Sequence, residues 1–126
     1  MSILEGHGEY PGWEPIPWDS ERLRADEQKR GFLQRACKPL VWTKVDWNHF
    51  PDSGIFGRDR DWFVKHNIAY VTTNDGEDLV LIQNSWHGFP DPPEWGLASR
   101  PAEKTEARWE MWGHFPKLPT QWLVPE

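Results

Sequence analysis

Cysteine is nearly missing. The 126 residues hold one, Cys37, so no internal disulfide can staple the fold and no thiolate cluster can hold a metal. That fits a reducing compartment, with the cytosol expected, or a virion if a phage encodes the chain. Basic charge is short as well: 14 Lys and Arg stand against 20 Asp and Glu, a formal net charge of -6. A chain so balanced lacks the electrostatic footprint that grips phosphate backbones, so nucleic acid is not the expected ligand. No stretch nears the roughly 18 apolar residues of a membrane span, and MSILEGHGEY lacks the basic and apolar segments of an export signal. Gly-x-Gly-x-x-Gly, Walker A, Gly-x-Ser-x-Gly and Cys-x-x-Cys are all missing, which removes the commonest nucleotide, hydrolase and redox signatures.

What is abundant is aromatic surface. Ten Trp, six Phe and two Tyr make a core of few but large residues possible in a chain only 37% hydrophobic. At this length one domain is the simplest organisation. Residues 1–19 read as an extended arm, because Pro11, Pro15 and Pro17 forbid a regular helix or central strand, and residues 20–126 read as a single α+β domain. The arm carries four acidic residues and no Lys or Arg, with Tyr10, Trp13, Ile16 and Trp18 as its apolar contacts.

The strongest helix expectation follows the arm. Asp19 or Ser20 can cap it, Glu21 suits its first turn, and Pro39 limits its end. Leu33, Ala36, Cys37 and Leu40 follow helical spacing and form its expected packing stripe. Residues 21–45 hold seven basic residues against three acidic ones, so a basic element faces the acidic arm. Cys37 reads as a buried small residue rather than a nucleophile.

Beyond Lys38 the composition turns to β. LVWTKVDW predicts a strand at 40–47, and IAYVTT and DLVLIQ predict strands at 68–73 and 78–84 across an Asp75-Gly76 hairpin turn. Residues 57–67 read as a short helix ended by Asn67, with Arg58, Asp59, Arg60 and Asp61 as a surface charge ladder. The proline-rich FPDPPEWGLASRPAEKT reads as a long, functional loop. EARWEMWGHF puts Trp109, Met111 and Gly113 on one side and Glu110 and Trp112 on the other if extended, and LPTQWLVP can add an edge strand. The whole predicts a small antiparallel sheet of four to five strands with one main N-terminal helix.

One pattern recurs. WNHFP, WHGFP and WGHFP begin at 47, 86 and 112, three copies of Trp-x-x-Phe-Pro that composition alone would almost never produce. Their unequal spacing excludes a solenoid with one fixed unit. Phe before Pro is pushed to extended backbone and Pro lacks the N–H of a ladder, so the motif reads as a strand terminator with its Trp on the strand. Each copy also holds a His. His49, His87 and His114 together, with Asp52 or Asp91, would make an open zinc or iron site, although no local spacing fixes two of them as ligands.

Three functional classes therefore stand. A non-enzymatic interaction or structural subunit, a virion component or a small accessory or inhibitory protein, would dock a protein partner or its own copies through Tyr10, Trp13, Trp18 and Trp95, with no cofactor. A metal-dependent protein would use His49, His87 and His114. A carbohydrate-binding module would offer Trp95, Trp13 or Trp18 as flat platforms for sugar rings. The first is the leading expectation.

Overall fold

The computed structural model describes residues 12–15, 25–49, 64, 67–84, 94–104 and 109–125. Among them are one α-helix, α1 (Ala25–Ala36), a 3-10 turn (Trp47–His49), and five strands. The strands are β1 (Thr43–Val45), β2 (Asn67–Asn74), β3 (Glu77–Asn84), β4 (Trp95–Pro101) and β5 (Glu110–Phe115), joined in sequence order into one antiparallel sheet. The α+β expectation holds. No helix among the described residues is long and apolar enough to cross a membrane.

The hairpin between β2 and β3 forms as its turn chemistry requires. Asn74 pairs with Glu77, and Asp75 and Gly76 between them take φ of 51° and 76°. Two positive φ values in a two-residue loop match the twist of the flanking strands, and Gly and Asp reach that region at least cost. β1 is shorter than the expected 40–47. The Asp46 side chain accepts from the Asn48 N–H at 2.8 Å, a local bond that competes with the ladder and turns Trp47 into a 3-10 helix. The expected helix at 57–67 lies outside the described residues apart from Val64, which is helical, and Asn67, which opens β2.

Two further expectations are corrected. The proline-rich loop gives way at Trp95 to β4, a strand between β3 and β5 that is buried from Trp95 to Ser99. Gly96, Ala98 and Ser99 are small enough for a strand covered on both faces, so the alternation that marks an exposed strand is missing. The packing stripe of α1 is also rotated from the expected one. Gln28, Gly31, Phe32 and Ala36 are its buried residues, whereas Cys37 lies past the helix end and is exposed, its thiol donating to the Gln34 carbonyl at 3.3 Å. Phe32 buries more area than any residue of the expected stripe, and it sets the helix face.

The sheet carries a core on each side. On one face Ala69, Val80, Ile82, Ala98 and Met111 pack with Trp47, flanked by Val45, Val71 and Trp109. On the other, Tyr70, Leu79, Leu81, Trp95, Leu97 and Phe115 pack under α1 through Phe32 and Ala36, with Leu40, Trp42 and Trp122 closing the layer. Met111 and Phe115 would share a face in a regular strand. They do not, because the register slips between Gly96 and Ala98. Trp112 and Gly113 together oppose Leu97, and Gly113 takes φ of 95° to make this bulge. The predicted split of Trp109 and Met111 from Trp112 holds up to the bulge, which then returns Phe115 to the helix side.

Candidate functional site

Segments near the two ends of the chain add bridges beside the sheet, one on β5 and one just ahead of β1. At the β5 edge, Glu14 and His114 form an antiparallel bridge: the Glu14 N–H donates to the His114 carbonyl at 2.8 Å and the His114 N–H to the Glu14 carbonyl at 2.7 Å. On the β1 side, Val41 and Leu123 form a parallel bridge, with Trp42 N–H to Leu123 carbonyl at 2.9 Å and Leu123 N–H to Leu40 carbonyl at 2.8 Å. A bare strand edge invites pairing with other chains, and a covering segment blunts it. Each cover carries a Trp.

The arm's cover is built around Gly113. Trp13 is half-buried, and its indole N–H donates to the Trp112 carbonyl at 3.0 Å. A Cβ on Gly113 would meet that indole at 2.5 Å, so only glycine leaves room for it. Gly12 sits on the Pro116 ring, where a Cβ would come within 2.7 Å, and the Lys29 ammonium lies 6.0 Å from the Trp13 ring centre. The Trp112 ring packs on Gly31 of α1, where a Cβ would come within 2.1 Å of it, and donates its own indole N–H to the buried Ser99 hydroxyl at 2.8 Å.

Arg35 connects this edge to the rest of the molecule. Its guanidinium stacks 4.3 Å from the Trp112 ring centre, donates twice to the Glu77 carboxylate at 2.8 and 2.7 Å, and donates to the Gly31 carbonyl at 2.8 Å. Planar stacking combined with a fork of donors is chemistry that arginine performs and lysine does not. Its carbonyl accepts from the Trp122 indole at 3.1 Å. One residue thus touches the Trp platform under the arm and the Trp that seats the C-terminal tail.

A polar chain lies near the start of β4. The Tyr70 hydroxyl meets the Gln83 amide oxygen at 3.0 Å, and the Gln83 amide donates to Glu94 at 2.8 Å. Burial, and secondarily the Glu94 charge, raises the Tyr70 pKa, so the phenol is held protonated and acts as a hydrogen-bond donor. His114 is lowered from its ordinary 6.5 by burial, against which a hydrogen bond to the Trp95 backbone acts.

The residues picked out from the sequence separate. Trp13 is at the arm's docking point, while Tyr10 and Trp18 lie outside the described residues. Trp95 is a correction: it is 7% exposed on β4, within the core under α1, so it presents no platform to a sugar or partner. Its proline-rich flank disguised a strand start. His114 is in β5 with its backbone in the arm bridge, the backbone of His49 is in the 3-10 turn, and His87 lies outside the described residues. Among the described residues no group of three or more His, Cys, Asp or Glu is placed to hold a metal ion. The two described Trp-x-x-Phe-Pro starts also differ, since Trp47 opens a 3-10 turn and Trp112 lies on a bulged strand that ends at Phe115 before Pro116.

Sequence reasoning missed Gly31, Arg35 and Gly113. An isolated glycine inside a helical pattern signals close packing, and Gly31 carried that signal. No protein family, curated protein or solved structure matches the chain.

Proposed function

We propose that the protein is a non-enzymatic interaction or structural subunit whose N-terminal aromatic arm is the docking element. One observation supports this reading: Trp13 is only half-buried at the margin of the cluster under α1, and among the described residues its segment meets the β5 edge at one bridge, Glu14 to His114, while Trp122 is buried within that cluster. An arm seated this way can leave the edge with the loss of only part of one indole's burial, and leaving exposes both an aromatic segment and a free sheet edge. Extended segments that add to an edge through backbone bonds, with a Trp for specificity, are a common mode of protein recognition. The partner is a protein or a further copy of the chain.

The test is removal of residues 1–18. The trimmed chain keeps its cooperative unfolding transition and loses its assembly or its captured partner. Unchanged mass in solution together with an unchanged set of bound proteins would reject the arm as docking element.

A further inference from the structure

Resting on the interaction reading above, we infer that Arg35, gripped by Glu77 at the start of β3, positions the seat of the arm, so that release of the arm is governed from the β2–β3 hairpin. The seat consists of two backbone features of β5: the Trp112 carbonyl that accepts the Trp13 indole N–H at 3.0 Å, and the space over Gly113 that the same indole fills. Both belong to the bulge opposite Leu97, where an extra residue disrupts the ladder that would otherwise fix the backbone. The orientation of the bulge then follows its Trp112 side chain. At Gly31 that ring meets no side chain of α1 to interlock with. Among the described residues it is held by its indole N–H on the Ser99 hydroxyl at 2.8 Å and by the Arg35 guanidinium stacked 4.3 Å from its centre.

Arg35 is in turn fixed from the hairpin. Its Nε and Nη2 donate to the two carboxylate oxygens of Glu77 at 2.8 and 2.7 Å, and its Nη1 donates to the Gly31 carbonyl at 2.8 Å. The two side chains are only 12% and 18% exposed, so solvent and salt screen this pair weakly. The pair of Lys38 with Asp75 joins the same hairpin to the same helix end, but its carboxylate is 68% exposed and contributes less. Glu77 is held on both sides, paired with Asn74 across the turn and with Pro101 of β4. Contacts thus run without a gap from Glu77 through Arg35 and Trp112 to Trp13. A guanidinium that leaves the ring lets the bulge turn, and the carbonyl and the space over Gly113 turn with it. Lysine keeps the charge and loses both the fork and the stack.

The test follows backbone amide exchange in the full-length chain carrying Arg35→Lys, which keeps the carbonyl that seats Trp122. The Glu14 and His114 amides are expected to exchange about tenfold faster, while those of Trp42 and Leu123 keep their rates. Glu77→Gln gives the same pattern at smaller size and carries the test if Arg35→Lys does not fold. Lys38→Ala, which breaks the other pair between hairpin and helix, leaves all four amides unchanged. The second readout is a cycle with Trp13→Ala. The fall in denaturant midpoint that it causes is expected to shrink to about half or less in the Arg35→Lys or Glu77→Gln background, where the seat is already displaced. Unchanged Glu14 and His114 rates, equal acceleration of all four amides, or equal midpoint shifts in both backgrounds would overturn the positioning role. None of these touches the docking reading, which stands or falls with removal of residues 1–18. Partners and mass unchanged by that removal, with Glu14 and His114 still accelerated by Arg35→Lys, would reject docking and support Arg35 as the residue that seats the arm.

Discussion

Segments near the two ends of the chain each add a bridge beside the sheet, one on β5 and one on residues 40–42 just ahead of β1, and they do it to different depths. Among the described residues each adds one bridge with two backbone hydrogen bonds, and each seats a Trp through its indole N–H on a backbone carbonyl, Trp122 on Arg35 and Trp13 on Trp112. Trp122 is 5% exposed and packs against Phe32, Trp42 and Phe115 at ring separations of 6.4, 5.2 and 6.0 Å. Trp13 lies over Gly113 at the margin of the same cluster and is only half-buried. With the bridges equal, the area removed from water separates a structural cover from a releasable one. Pro119 buried beside Trp122 and the tilted 4.5 Å contact of Phe32 with Phe115 continue the deeper layer.

The largest test of that difference is Trp122→Ala. Removal of a buried indole from this aromatic cluster is expected to lower stability by about 3–5 kcal/mol, read as a fall in the denaturant midpoint at unchanged slope. That is a large share of the roughly 5–15 kcal/mol of a typical domain. A loss below about 1 kcal/mol would mean that the C-terminal cover is as superficial as the arm.

Next comes Gly113→Ala, which meets two obstacles. The positive φ of 95° disfavours any Cβ, and that Cβ would lie 2.5 Å from the Trp13 indole. Together they are expected to cost about 1–3 kcal/mol. Adding Trp13→Ala separates them: the clash term vanishes while the backbone term stays, so the two substitutions together cost less than their sum. Strict additivity would show that the arm does not rest on Gly113. Trp13→Ala alone is expected to cost about 1–2 kcal/mol, because only part of the ring leaves water. Its signature is local: exchange of the Glu14 and His114 amides accelerates while the Trp42 and Leu123 amides keep their protection.

The sequence made some of this architecture readable and hid the rest for physical reasons. Asp75-Gly76 specified its hairpin because few dipeptides tolerate two positive φ values, and the β-branched strands around it repeat that instruction. β4 was hidden because a strand buried on both faces has no alternation, and WGLAS between prolines resembles a loop. The arm's Trp13 was legible as a contact residue, but its address was not. That address depends on Gly113, whose role arises from a register slip between β4 and β5, and on Gly31, whose missing side chain matters only once Trp112 lies over it. Both are long-range consequences of pairing.

The smallest effect distinguishes the two edges by pH. The folded chain holds His114 below its ordinary 6.5, chiefly because burial disfavours the imidazolium. From just above pH 6.5 down to that lowered value, the unfolded chain binds a proton that the folded chain refuses, so stability is present above the window and falls as pH drops through it. His114→Gln removes this contribution, and wild type and variant should converge above the window and diverge below it, with wild type losing more. His114 shares its backbone bonds with Glu14, so the loss is expected first at the arm. Acidification should release the Glu14 and His114 amides to exchange before those of Trp42 and Leu123, which carry no histidine in their bridge. Simultaneous release at both edges would tie the acid response to the whole fold and dissolve the distinction between a fixed and a detachable cover.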